Sequence, residues 1–179
     1  MDTLSDYGKC YASTERKDAL KLVATRPGSV EEAQTYKQLF QKPYQSCLGS
    51  VTTLRVWHLM VRGAIAEGLY KKKIPVPANL AVAAAPAGEQ VRNISDAAVC
   101  YAAAHRGEAQ SLVDSTRPGT KEEYGAVSAL FPGFAECIPA TARKSMQLDT
   151  TLVRFRIAEA LWRLGMVPDQ AKSTGQAAK

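Results

Sequence analysis

Apolar and polar positions recur on a helical period along most of this chain. Leu4, Tyr7, Cys10, Tyr11, Leu20 and Val23 share one face, while Glu15, Arg16, Lys17 and Asp18 form a solvated patch. The pattern predicts a helix over Leu4–Thr25 with Ser5 as its N-cap. Arg26-Pro27-Gly28 stops it, because proline restricts the residue before it and glycine frees the backbone. Ser29 followed by Glu32 is the signature of a capping box, in which each side chain satisfies a free backbone N–H near the other. A second helix, Val30–Gln41, follows it. Leu54, Trp57, Val61, Ile65 and Leu69 then stand at i, i+3, i+7, i+11 and i+15, an apolar stripe that predicts a third helix over Thr53–Lys72.

The same order returns further along. Cys10-Tyr11-Ala12, Thr25-Arg26-Pro27-Gly28, Glu31-Glu32 and Cys47 are answered by Cys100-Tyr101-Ala102, Thr116-Arg117-Pro118-Gly119, Glu122-Glu123 and Cys137. The cysteines are 37 positions apart in both copies. Thr120 replaces Ser29 as the capping hydroxyl, and the glutamates of both turns read as first-turn residues favoured by the helix dipole. In the second copy Ser95 is the expected cap of a helix over Asp96–Ser115, with His105 and Arg106 on its polar side. Leu130-Phe131-Pro132-Gly133-Phe134 is expected to end the next helix early. Asp149 is expected to cap a last helix over Thr150–Leu164. There Arg154 to Trp162 echoes Arg62 to Tyr70, both built around Ile-Ala-Glu with an arginine five positions before the glutamate. Ala64, Gly68 and Ala160 are small enough for close helix packing.

The repeat organises the chain into a first helical unit at 1–73, an Ala/Pro-rich linker at 74–94, a second unit at 95–167 and a disordered polar tail at 168–179. The fold class expected is all-α: a tandem duplication of a three-helix unit, an αα-hairpin plus a third helix, packed with pseudo-two-fold symmetry through Thr53–Lys72 and Thr150–Leu164. Helical rise carries the chain up from Cys10 and back to the same level at Cys47. Disulfides Cys10–Cys47 and Cys100–Cys137 at the open ends of the hairpins follow from that geometry, with buried free thiols as the alternative.

Composition narrows the function classes. The chain has 179 residues, 46% hydrophobic and 22% charged, with a formal charge of +6. The charge is mild for a dedicated nucleic-acid binder and serves solubility equally well. No stretch of about 20 apolar residues predicts a membrane span. Met1-Asp2-Thr3 lacks the basic and apolar parts of a signal peptide, leaving a removed leader or a cytoplasmic protein as alternatives. There is no Gly-x-Ser-x-Gly, glycine-rich phosphate loop, His-Glu-x-x-His or Cys-x-x-Cys, so no cofactor or metal is expected. Glu67 and Glu159 read as partners in structural ion pairs, with Arg26, Arg62, Arg117 and Arg154 as the candidate cations. The sharper reading makes the two glutamates the acids of a hydrolase. Lys71, Lys72 and Lys73 sit where a helix C-terminus favours cations, or else mark an anion-binding surface.

The run Cys, Arg-Pro-Gly-Ser, Glu-Glu, Cys, then Arg-Gly-Ala-Ile-Ala-Glu-Gly-Leu-Tyr resembles a group of uncharacterised, exported bacterial proteins built from this cysteine-paired helical unit. The resemblance covers roughly 5–70 and 95–162. It implies an oxidising, periplasmic or secreted location after removal of a leader. The function expected is a non-catalytic helical binding or structural module of the envelope with a protein partner. The alternatives are a binder of nucleic acid or acidic glycan, using Lys71, Lys72, Lys73, Arg26, Arg117 and Arg154, and the hydrolase at Glu67 and Glu159; the oligomeric state is left open.

Overall fold

The computed structural model describes residues 2–40, 47, 57–82, 84–140 and 149–166. Among them are eight α-helices: α1 (Asp2–Thr14), α2 (Arg16–Ala24), α3 (Val30–Phe40), α4 (His58–Lys71), α5 (Ile94–Ala104), α6 (Arg106–Ser115), α7 (Lys121–Glu136) and α8 (Thr150–Arg163). The chain is all-helical, and its four cysteines form the disulfides Cys10–Cys47 and Cys100–Cys137, with Cα–Cα separations of 5.5 and 5.9 Å.

Helices α4 and α8 lie together at the centre, with α1 against α4 and α5 against α8. Every residue from Val61 to Tyr70 is buried, as is every residue from Val153 to Trp162. A helix covered all round should be apolar all round, and the buried stretch Val61–Tyr70 carries no charged residue apart from Arg62 and Glu67. The apolar stripe expected on this helix is thus a fully enclosed core segment. Trp57, expected on that stripe, is the exposed N-cap, while Thr53 and Leu54 lie outside the described residues.

Close approach of α1 and α4 depends on glycine. A Cβ at Gly8 would strike the Ala64 carbonyl, and one at Gly68 would strike the Gly8 carbonyl. Backbone cannot yield as a flexible side chain can. Gly8→Val is therefore expected to cost about 1–3 kcal/mol by overpacking, read as a lower urea midpoint with an unchanged slope.

Several expected boundaries move. The helix Leu4–Thr25 is broken at Glu15 and its counterpart Asp96–Ser115 at His105, with φ/ψ of −115/44° and −124/49°. Glu15 and His105 still donate to the turn before, at Tyr11 O and Tyr101 O, and accept from the turn after, from Ala19 N and Ala109 N, so the chain bends without separating. His105 is half-buried, stacks on Tyr101 at 4.8 Å and lies 3.8 Å from exposed Glu108. Ser5 is not a cap: α1 starts earlier, and Ser5 is buried. Asn93, not Ser95, caps α5, accepting from the N–H groups of Ser95 and Asp96. Pro132 does not end α7, which runs on to Glu136; a proline one turn from the end deletes only one helical bond. Asp149 caps α8 by accepting from Leu152 N at 2.8 Å.

The capping boxes form by half. Ser29 and Thr120 accept from Glu32 N and Glu123 N at 3.1 and 3.2 Å. The returning glutamates reach one residue further than expected, to Gly28 N and Gly119 N, both at 2.6 Å. Those glycines have φ of 76° and 77°, a conformation that suits residues without a Cβ.

The Ala/Pro-rich segment after α4 is docked. Trp162 Nε1 donates to Ile74 O at 2.7 Å, Val82 N donates to Arg163 O at 3.0 Å, and Leu80 is buried. The tail expected to be disordered lies outside the described residues.

Candidate functional site: a crossed ion network flanked by two charged cavities

The core between α4 and α8 holds ionic groups that burial alone would forbid. Arg62, on α4, forks onto Glu159 of α8, with Nε–Oε2 at 3.0 Å and Nη2–Oε1 at 2.7 Å. Its remaining N–H groups donate to Leu22 O, Val23 O, Thr25 Oγ1 and Glu32 Oε1, at 2.9 to 3.3 Å. Arg154, on α8, forks onto Glu67 of α4 and donates to Val113 O and Thr116 O. Arg62 therefore closes the end of α2 and Arg154 the end of α6, and each neutralises the glutamate of the other central helix. A fixed planar fork with five donors suits this task, and an ammonium would not. Arg26 and Arg117, the other expected partners of these glutamates, are exposed instead.

The two ends of the network differ. Glu159 also receives Arg156 Nη1 at 3.1 Å and Arg163 Nε at 2.9 Å. Glu67 receives Ser5 Oγ at 3.1 Å. Burial pushes the Glu159 carboxyl up, but Arg62 first, then Arg163 and Arg156, outweigh it and hold it well below the usual carboxylate range. Glu123 goes the other way. Burial raises its carboxyl, and the bonds from Gly119 N and Thr151 and the charge of Arg154 offset this only in part. Its Oε1 has no hydrogen-bond partner among the described residues and lies 3.8 Å from Arg154 Nε.

Two cavities open onto this network. The first, about 330 Å³, includes Ser5, Asp6, Glu67, Lys71, Thr116, Arg117 and Pro118 in its lining. The second, about 290 Å³, includes Ser95, Asp96, Glu159, Arg163, Thr25, Arg26 and Pro27. Taken in order, the two linings match in residue type, with Arg163 answering Lys71. The first brings α1 and α4 together with Thr116-Arg117-Pro118, Asp114 of α6 and Arg154 of α8; the second brings α5 and α8 together with Thr25-Arg26-Pro27 and Ala24 of α2. In the first, Lys71 is paired with Asp114 at 2.9 Å, and Lys9 with Asp6 at 3.4 Å. Lys72 and Lys73 are exposed beyond the end of α4. Lys73 has φ 54° and completes the helix terminus, with Ile74 N bonded to Leu69 O at 2.9 Å.

The serine-aspartate pairs at 5–6 and 95–96 were missed as site residues. Their signal was present in the sequence: in both pairs the aspartate stands four positions before a cysteine, Cys10 or Cys100. No protein-family model, curated protein or solved structure matches this chain. Among the described residues no helix is long and apolar enough to cross a membrane, and no group of metal-binding side chains is assembled. Two disulfides point to an oxidising, extracellular compartment.

Proposed function

We propose that this protein is a non-catalytic helical binding module of the bacterial envelope, periplasmic or secreted, made by tandem duplication of a cysteine-paired three-helix unit. The copies are related by a pseudo-two-fold axis between α4 and α8, and a protein partner engages the paired cavities. One observation carries this reading: the same serine, aspartate, glutamate, basic residue and turn arginine line both cavities. Packing alone does not require exposed residues such as Asp6 and Arg117 to recur. The crossed ion pairs and disulfides supply a preorganised scaffold, which lowers the cost of binding. Membership of the exported group named above fits the same picture.

The hydrolase alternative draws less support. A general acid must hold a proton near neutral pH, and Glu159 is kept ionised by its arginines. The anionic-polymer alternative loses two of its cations, because Arg154 is buried on Glu67 and Lys71 is paired with Asp114.

The test is site-specific photocrosslinking in the producing cell. A benzophenone side chain at exposed Asp6 should trap one discrete partner protein. The same group at Lys17, an exposed residue of α2 outside both cavities, should not. Equal adducts at both positions, or none at Asp6, would count against the reading.

A further inference from the structure

We infer that each cavity is a carboxylate-binding site, in which the turn arginine, Arg117 in the first and Arg26 in the second, forks onto a single carboxylate of an acidic ligand. The inference rests on the binding-module reading and specifies what its cavities take. The lining charges are otherwise matched. In the first cavity Arg154 is spent on Glu67, Lys71 on Asp114 and Lys9 on Asp6. In the second, Arg62, Arg156 and Arg163 stand against Glu159 and Glu32, one cation more than carboxylates, which offsets Asp96, whose own bonds come from the neutral Arg92 N and Asn93 Nδ2. The guanidinium groups of Arg117 and Arg26 make no ion pair or hydrogen bond among the described residues, and both residues are exposed at their cavity mouths.

One uncompensated guanidinium in each cavity favours a monoanion. Guanidinium and carboxylate match as planar forks. A phosphate dianion would bring about one further negative charge towards Asp6 and Asp114, or towards Asp96. The volumes, about 330 and 290 Å³, suit a side-chain-sized group and not an extended polymer. The second cavity also offers a donor the first has spent: Ser95 Oγ is buried without a partner among the described residues, whereas Ser5 Oγ is bonded to Glu67. The second cavity is therefore the tighter site.

The experiment titrates the oxidised full chain with the capped tripeptide acetyl-Gly-Glu-Gly-amide, its glutamine counterpart, butyrate and inorganic phosphate, following backbone amide shifts. The glutamate peptide should shift Gly28 and Ser95 at lower concentration than Gly119 and Ser5. Arg26→Ala should weaken the second site about tenfold or more and leave the first unchanged, with Arg117→Ala doing the reverse. Ser95→Ala should weaken the second site alone. Butyrate binding as well as the peptide would make the ligand a small carboxylate; weaker binding would make it an acidic segment of a protein. Equal shifts from the glutamine peptide, tighter binding of phosphate, or indifference to both arginine variants would overturn the assignment. A discrete photocrosslinked partner alongside any of those results would sink the carboxylate site and leave the binding module standing. Clean carboxylate binding with no partner trapped at Asp6 would do the opposite.

Discussion

Replacing Arg62 with leucine is expected to lower the unfolding free energy by about 3–5 kcal/mol, because it strands buried carboxylates that the guanidinium now neutralises. Arg62 is fully buried and answers Glu159, Glu32 and the last carbonyls of α2 together. Removing it breaks one of the two crossed ion pairs between α4 and α8 and uncaps α2 in one step. Arg62→Lys should recover little, since a point charge cannot reproduce the fork. Urea unfolding followed by circular dichroism measures both. A loss below about 1 kcal/mol, the range of an exposed ion pair, would show that the network contributes little. The acid limb provides a second reading. Glu159 has a depressed folded pKa. Its stabilisation is complete above the unfolded value of about 4.3 and is lost as pH falls below it towards the folded value. Glu123 acts in the opposite sense, its raised carboxyl gaining a proton more readily in the folded chain. Without Arg62 the Glu159 contribution shrinks, so the variant should lose stability less steeply than the parent between neutral pH and about pH 3.

The crossing itself explains how far the sequence could be read. Arg62, Glu67, Arg154 and Glu159 stand out because they recur within matching apolar runs, and periodicity places them on helices. A linear pattern does not say which copy's helix lies opposite which. The nearest arginines in each unit, Arg26 and Arg117, were therefore equal candidates. Only the packing of α4 along α8 puts each glutamate beside the other copy's arginine. Helix starts with an oxygen-bearing cap were legible at Ser29, Thr120 and Asp149, since that signal is local. At Ser5 and Ser95 the same residue type misled, because serine also serves inside a helix when a buried acceptor or a cavity lies within reach. The bends at Glu15 and His105 carry no proline or glycine at the break and left no mark in the hydrophobic period. Cysteine spacing was legible because a hairpin of fixed rise returns to its own level, and both pairs are 37 residues apart.

Loss of the Cys10–Cys47 bond is expected to cost about 3–4 kcal/mol in the chain-entropy account, and loss of Cys100–Cys137 a similar amount. Yet the two losses should differ in where the chain loosens. Among the described residues α3 packs chiefly on α2, whereas α7 packs on α5, α6 and α8. Helix α3 therefore depends more on its tether. When Cys10 and Cys47 are both changed to serine, α3 should lose amide protection well before α4 does. When Cys100 and Cys137 are changed, α7 should stay protected almost to the global unfolding limit, because Val127, Leu130 and Phe134 remain buried. Hydrogen exchange resolved by helix, run beside urea unfolding of each double variant, separates local from global loss. Equal protection of α3 and α7 in their respective variants would mean that the bonds act only on the unfolded chain and hold neither hairpin shut in the folded one.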